Sequence, residues 1–144
     1  MSKKLKKLFR EKRELVLYIF FGGLTTAVGY GSYWFFRWLI SGESTIVPNT
    51  LKWICAVTFA YLTNRKWVFE SKQTRPSALI REAALFYGGR LLTLGVDIIL
   101  MVLLVDLPQK YGLWELFALI IVSVVVLVLN YIISKLFVFR KKKK

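Results

Sequence analysis

The 144-residue sequence has no histidine, one cysteine and only eight acidic residues against 22 lysines and arginines. Without histidine, the chain lacks the usual proton shuttle and the commonest metal ligand among side chains. Cys55 has no second cysteine for an intrachain disulfide, and its apolar neighbours predict that it packs as a small hydrophobe. The few acids show no metal-ligand spacing, so the sequence predicts neither a metal site nor a cofactor.

The sequence is instead rich in apolar residues. Hydrophobic residues make up 56% and aromatic residues 16% of the chain, and the mean hydropathy is +0.52. These values exceed those of soluble domains. The basic residues flank apolar runs and no nucleic-acid-binding motif accompanies them, so the expected partners are membrane lipids and not nucleic acid.

Four segments approach the roughly 20 apolar residues that a membrane-spanning helix needs. They are about 15–40, 50–69, 82–105 and 113–139. Pro48, Pro76 and Pro108 fall between these segments, so each proline is predicted to mark a connection and not a kink.

The distribution of lysine and arginine predicts the orientation of the spans. Basic residues concentrate in three segments, with seven in 1–14, five in 65–81 and five in 140–144. The connections 41–49 and 106–112 contain one, Lys110. Because cytoplasmic loops carry the excess of basic residues, both termini and the 70–81 loop are expected in the cytoplasm.

The second half of the sequence repeats the first. Phe20-Phe21-Gly22-Gly23, followed by Gly29, matches Phe86-Tyr87-Gly88-Gly89, followed by Gly95, at a spacing of 66. The nine residues 61–69 match 131–139 at a spacing of 70. Because each repeat contains two spans, both repeats enter the membrane from the same side.

These observations predict an all-α membrane protein with four transmembrane helices, arranged as two parallel-oriented helical-hairpin repeats with N and C termini cytoplasmic. The predicted organisation is a basic N-terminus at 1–14, a first two-helix repeat at 15–69, a cytoplasmic linker at 70–81, a second two-helix repeat at 82–139 and a basic tail at 140–144.

Ionisable residues inside spans are costly and are therefore functional candidates. Arg90 and Asp97 interrupt the third span; seven residues apart, they share a helix face but lie about 10 Å apart, too far for a salt bridge within the helix. The depth of Arg90 requires an anionic partner. Asp97 is a candidate for ion coupling or for a structural ion pair, with Arg37 or Lys52 available to neutralise it.

The second span is short, because only twelve residues separate Lys52 from Arg65. They cover about 18 Å of a hydrocarbon core of about 30 Å. The charged residue at one end must therefore lie within the hydrocarbon core, extend its side chain to the interface or face a water-filled cavity. Asn64 and Asn130 lie at the inner ends of the second and fourth spans. Interhelical hydrogen bonding is the alternative role for both amides, and extension to the interface is the alternative for the lysines.

The basic and amide residues near the inner edge form a candidate binding site for a lipid phosphate. They are Arg65, Lys66, Arg90 and Lys135, with Asn64 and Asn130 beside them. Such a set suits an anion, and arginine offers a planar fork for phosphate oxygens. An anion met at a membrane edge is a lipid phosphate or diphosphate.

The four-span arrangement, the Phe-Gly-Gly start of each hairpin and the run Asn64-Arg65-Lys66-Trp67-Val68-Phe69 resemble the GtrA-like proteins. The resemblance covers nearly the whole chain. It implies a flippase, or flippase subunit, for a monosaccharide on a polyprenyl phosphate such as undecaprenyl phosphate. The implied location is the bacterial cytoplasmic membrane, and the implied purpose is glycosylation of teichoic acid or another envelope polysaccharide.

The family's basic and amide positions carry over to Asn64, Arg65 and Arg90. The second repeat departs from the motif, with Ser134 in the place of Asn64, so the resemblance supports Asn130 and Lys135 less. No ATP-binding loop is present, which leaves downhill transport or ion-coupled transport.

An enzyme is not expected, because the outer connections offer only Glu43, Asp106 and Glu115 as acids. Two alternatives stay open: a small four-helix exporter of cations, and a non-transporting membrane anchor for a glycosyltransferase. The exporter fits less well, because the first span lacks an acid and the candidate site is positive. Four narrow helices hardly enclose a groove for a sugar, so a homo-oligomer built on the glycine-bearing faces is predicted.

Overall fold

The computed structural model describes residues 3–40, 45–110 and 112–140, and all the regular structure in these ranges is helical. Its α-helices are α1 (Lys3–Leu39), α2 (Ile46–Thr63), α3 (Pro76–Met101) and α4 (Leu113–Ile133). Five-residue π-helical segments follow three of them: Asn64–Val68 after α2, Val102–Asp106 after α3 and Ser134–Val138 after α4. Glu43 and the tail residues 141–144 lie outside the described ranges.

Three of the described helices are long and apolar enough to cross a membrane: Lys4–Leu39, Pro76–Asp106 and Leu113–Val138. Most of their large apolar side chains are exposed in the single chain, as expected for helices in contact with lipid. The predicted all-α architecture with four long helices is confirmed. A membrane-spanning role for α2 stays a prediction, because Lys52 and Arg65 bracket its apolar stretch.

Two helices extend beyond the predicted apolar spans. α1 begins at Lys3 and not near residue 15, and α3 begins at Pro76 and not near residue 82. Residues 3–14 are mostly Lys, Leu, Arg and Glu, which are good helix formers, so nothing stops the helix at the edge of the apolar run.

The prediction that every proline marks a connection is confirmed for Pro108, which lies in the turn after α3, and wrong for the other two. Pro76 is the first residue of α3, and Pro48 is the third residue of α2. Amide groups in the first helical turn have no partner within the helix, so proline is accommodated there without loss of a hydrogen bond.

The chain divides into two compact units, Met1–Lys72 and Gln73–Lys144. In the first unit α1 packs against α2, and in the second α3 packs against α4. In each unit, an aromatic residue of the first helix contacts an aromatic residue just after the second helix. The rings of Tyr18 and Phe69 are 6.4 Å apart, and those of Phe86 and Phe139 are 6.0 Å apart.

The first helices of the two units bury corresponding residues at a spacing of 68, which differs from the spacing of 66 in the Phe-Gly-Gly match. Glu14 and Tyr18 are buried in α1, and Glu82 and Phe86, 68 residues later, are buried in α3. Phe20, which the sequence match at a spacing of 66 pairs with Phe86, is 58% exposed. Two residues correspond to a rotation of about 200° around a helix, so the matching sequence letters lie on different helix faces.

The second helices keep the spacing of 70 that the sequence indicates. Residues 61–70 and 131–140 have the same pattern of buried and exposed side chains at nine of ten positions. Asn64 and Ser134 occupy equivalent buried positions at the start of a π-helical segment, and Arg65 and Lys135 follow them half-buried.

Candidate functional site

The first set of candidate residues lies on the π-helical segment at the end of α2. The Asn64 carbonyl accepts a hydrogen bond of 2.9 Å from the N–H of Phe69, five residues later. This wider turn is typical of functional positions in helices. Arg65 is half-buried, while Lys66 is exposed with its Nζ 4.8 Å from the centre of the Trp67 ring.

The amide oxygen of Asn64 is the most unusual atom of this set. Asn64 is 3% exposed, and its Oδ1 has no hydrogen-bond partner among the described residues. A buried acceptor without a partner costs about 1–3 kcal/mol. An oxygen acceptor does not bind phosphate oxygens, but it does accept a hydrogen bond from a hydroxyl group.

A backbone hydrogen bond and an ion pair hold the end of this segment. Glu70 adopts a left-handed conformation, with φ 49°, and the N–H of Ser71 donates to the Arg65 carbonyl at 2.8 Å. The Glu70 carboxylate forms an ion pair with Arg13 of α1. The backbone around Arg65 is therefore held by contacts within the first unit.

The second set of candidate residues lies on α3 and α4. The guanidinium of Arg90 is 4.9 Å from the centre of the Phe86 ring, one turn earlier on α3. Thr93 donates from its hydroxyl to the amide oxygen of Asn130 at 2.8 Å and lies 3.2 Å from the Arg90 carbonyl. The amide oxygen of Asn130 is therefore used in an interhelical hydrogen bond, which is the alternative role stated for it above.

Lys135 follows Ser134 on the π-helical segment after α4. Its Nζ donates to the hydroxyl of Tyr131 at 3.1 Å and lies 5.3 Å from the centre of the same ring. The side chain therefore lies along its own helix, at the position equivalent to Arg65 in the first unit.

Asp97 is half-buried on α3, two turns after Arg90. Within the described residues of its own unit, the Asp97 carboxylate makes no hydrogen bond and no ion pair. The expectation that Arg90 is too distant to pair with it is confirmed. Arg37 and Lys52 belong to the first unit, and neutralisation of Asp97 by either of them stays a prediction.

Sequence reasoning missed Thr93 and the two buried acids. Thr93 lies three residues after Arg90 and four before Asp97, so helical spacing places it on their shared face and could have identified it. Glu14 and Glu82 are 6% and 4% exposed, and each lies one turn before a buried aromatic residue. Their spacing of 68 becomes informative only once the buried faces are known.

The structure thus divides the candidates between the units. Asn64, Arg65 and Lys66 belong to the first, and Arg90, Asp97, Asn130 and Lys135 belong to the second. Among residues 3–40, 45–110 and 112–140, no group of three metal-ligating side chains is placed to hold a metal ion.

Comparison with known proteins gives consistent matches over most of the chain. The model of the GtrA/DPMS, transmembrane domain family matches residues 17–139. The cell wall teichoic acid glycosylation protein GtcA of Listeria monocytogenes serovar 1/2a is 38% identical over 133 residues, which cover 92% of this chain and 89% of that protein.

Two further relatives match at similar identity. GtcA of Listeria innocua serovar 6a is 36% identical over 129 residues, covering 90% of this chain and 86% of that protein. The membrane protein YwcD of Bacillus subtilis strain 168 is 33% identical over 128 residues, covering 89% and 98%. No solved structure matches the chain.

Proposed function

Because the chain belongs to the GtrA/DPMS transmembrane domain family, we propose that it translocates a polyprenyl-phosphate-linked monosaccharide across the bacterial cytoplasmic membrane. The relatives named for cell wall teichoic acid glycosylation suggest the polymer that receives the sugar. The observation that carries the proposal is that two candidate residues are neighbours at the end of an apolar helix. Asn64 has a buried amide oxygen without a hydrogen-bond partner among the described residues, and Arg65, which follows it, is half-buried.

In this proposal each of the two arginines, Arg65 in the first unit and Arg90 in the second, can bind the phosphate. Arg65 and Arg90 are both half-buried, so their guanidinium groups bind an anion where water competes less. The planar fork of each side chain matches two phosphate oxygens. Lys66 and Lys135, which lie against aromatic rings on their own helices, add positive charge that attracts the lipid headgroup.

Asn64 contributes to sugar recognition. Its amide oxygen accepts a hydrogen bond from a sugar hydroxyl, which relieves the cost of leaving that oxygen buried and unpaired. The polyprenyl chain stays in lipid beside the exposed apolar faces of the helices, and only the phosphate and the sugar enter the polar path.

The proposed topology has four spans and cytoplasmic termini. The π-helical ends of α2 and α4, with Arg65 and Lys135, then lie at the cytoplasmic edge. Transport is downhill, driven by consumption of the sugar by a glycosyltransferase on the outer face. If transport is ion-coupled instead, Asp97, near the end of α3, is the acid that could bind the coupling ion.

The proposal includes a homo-oligomer. A Cβ added at Gly22, Gly23, Gly88 or Gly95 would meet nothing within 4 Å, so these small residues leave shallow surfaces open on α1 and α3. Small residues are the usual contact points between helices in membranes. Contacts between copies at these surfaces would enclose a path for the sugar.

The test uses purified full-length protein in liposomes that contain a short-chain polyprenyl phosphate sugar. Impermeant periodate added outside oxidises only the sugars that reach the outer leaflet. We expect wild-type protein to expose the whole pool and Arg65→Met to expose the outer-leaflet pool alone. Arg75→Met is the matched control, because Arg75 is exposed and outside the candidate set.

Failure of the wild-type protein to expose the inner pool would contradict translocation. If a membrane glycosyltransferase then co-purifies with the chain and loses activity without it, the anchoring role is correct instead. Transport that is equal in Arg65→Met and wild type would remove Arg65 from the proposal.

A further inference from the structure

A lysine lies among aromatic rings in the first unit, far from Arg65. Lys52 is six residues after the start of α2, and its Nζ is 4.8 Å from the centre of the Tyr30 ring and 6.0 Å from that of Tyr33. Both tyrosines lie on α1. The lysine stem lies beside Gly29 of α1, where an added Cβ would be 3.8 Å from Lys52 Cγ and 3.9 Å from Cε, in ordinary van der Waals contact.

The polar atoms of this group have unused hydrogen-bonding capacity. Among the described residues, Lys52 makes no hydrogen bond and no ion pair, and its charge is met by ring faces alone. The hydroxyls of Tyr30 and Tyr33 likewise have no hydrogen bond in the described part of the chain. Ring faces attract an ammonium group but supply no oxygen acceptor for its N–H donors, so the group suits an anion.

The position of Lys52 relative to Arg65 gives this group a role. The two residues are thirteen apart, which corresponds to about 20 Å along the helix axis. With the topology proposed above, Arg65 lies near the cytoplasmic edge and Lys52 lies in the outer half of the membrane. A headgroup that moved from Arg65 to Lys52 would cross most of a hydrocarbon core of about 30 Å.

We infer that Lys52, Tyr30 and Tyr33 form a release-side binding site for the phosphate-linked sugar headgroup, an inference that rests on the proposed translocation. The ammonium of Lys52 binds the phosphate. The Tyr30 ring, whose residue is more than half exposed, stacks on the apolar face of the sugar. Lysine suits a site from which the lipid must leave, because it binds phosphate as a point charge and does not form the bidentate hydrogen bonds of arginine.

The experiment uses the full-length protein in lipid nanodiscs and a short-chain polyprenyl phosphate sugar with a diazirine on the sugar. After illumination, mass spectrometry locates the adducts. We expect wild-type adducts both near Tyr30 and near Arg65. Lys52→Met should lower the adduct near Tyr30 by about tenfold and change the adduct near Arg65 by less than about twofold, as for loss of one charge-assisted hydrogen bond at one site.

Lys110 provides the matched control, because its Nζ also lies over a ring, 5.1 Å from the centre of Trp114. Lys110→Met should leave both adducts unchanged. Lys52→Arg should keep the adduct near Tyr30. If Lys52→Met does not accumulate, Tyr30→Leu is used in its place. It should lower the adduct near residue 30 to the same extent, and an unchanged adduct would overturn the release-side site.

An unchanged adduct near Tyr30 in Lys52→Met would overturn the release-side site while leaving translocation intact. Absence of both adducts from a wild-type protein that also fails the liposome test would overturn the proposed function. Competition identifies the ligand: unlabelled sugar lipid should displace the probe near Tyr30, whereas equal displacement by phosphatidylglycerol or by inorganic phosphate would overturn the assignment to a sugar headgroup.

Discussion

The hydroxyl of Thr93 lies 2.8 Å from the amide oxygen of Asn130 and joins α3 to α4 inside the second unit. Both residues are buried. The first unit has no equivalent, since Ala60 stands seventy residues before Asn130. The hydrogen bond therefore distinguishes the two units and fixes which face of α4 packs against Thr93 of α3.

Replacing Thr93 by valine should destabilise the protein by about 0.5–2 kcal/mol, because the amide oxygen of Asn130 loses its partner in a buried position. Thermal unfolding in detergent measures the effect. Thr25→Val is the control, since the Thr25 hydroxyl donates only to the Phe21 carbonyl of its own helix. An equal loss in both variants would assign no special role to the interhelical bond.

Asn64→Leu should keep or raise stability, by up to about 1–3 kcal/mol, because it removes a buried acceptor without a partner and preserves the side-chain shape. Envelope glycosylation should nevertheless be lost. Asn130→Leu is the contrasting variant and should destabilise, because its oxygen is bonded to Thr93. A large loss of stability in Asn64→Leu would show that Asn64 has a structural partner and is not a ligand-binding residue.

Arg90→Ala should abolish transfer of the sugar lipid while the protein accumulates normally, and Arg90→Lys should restore transfer only in part. The physical reason is that lysine keeps the charge but lacks the fork that binds two phosphate oxygens. Membrane abundance measured beside envelope glycosylation separates function from folding. If abundance collapses and Arg90→Ala with Asp97→Ala recovers both readouts, Arg90 has a structural role.

Gly89→Ala should destabilise the second unit by about 1–3 kcal/mol, because the new Cβ would lie 2.8 Å from Cγ2 of Ile133 on α4. Gly88→Ala is the matched control: its Cβ meets nothing within 4 Å, and alanine favours the helix by up to about 1 kcal/mol. Unfolding in detergent compares the two variants. A lower stability for Gly88→Ala than for Gly89→Ala would contradict the packing of α3 on α4.

Single-cysteine labelling in a Cys55→Ser background should place residues 1–14, 70–81 and 140–144 on the cytoplasmic side, because basic residues cluster there. Thr74→Cys is the informative variant, since it lies in the exposed, non-helical stretch just before α3. An impermeant maleimide should label it only after the cells are opened. Labelling of Thr74→Cys in intact cells would contradict the predicted topology and place this loop outside the cell.

Much of the candidate site follows from the sequence alone. Arg65 and Arg90 stand out because a charge beside or within a long apolar run is costly and needs a partner. Asn64 stands out through the motif that it begins. The structure adds that the oxygen of Asn64 is unpartnered while that of Asn130 is bonded, a difference that two asparagines at similar helix ends do not reveal in sequence.

Composition and the length of the apolar runs were enough to predict the helical architecture and three of the apolar spans, because both depend on local sequence. The choice of packed helix faces became visible in the three-dimensional structure. Tyr18 and not Phe20 is buried, and Lys52 lies against Gly29 and Tyr30. In a membrane helix all faces are apolar, so polarity does not mark the packed face, and close contact between specific side chains determines it instead.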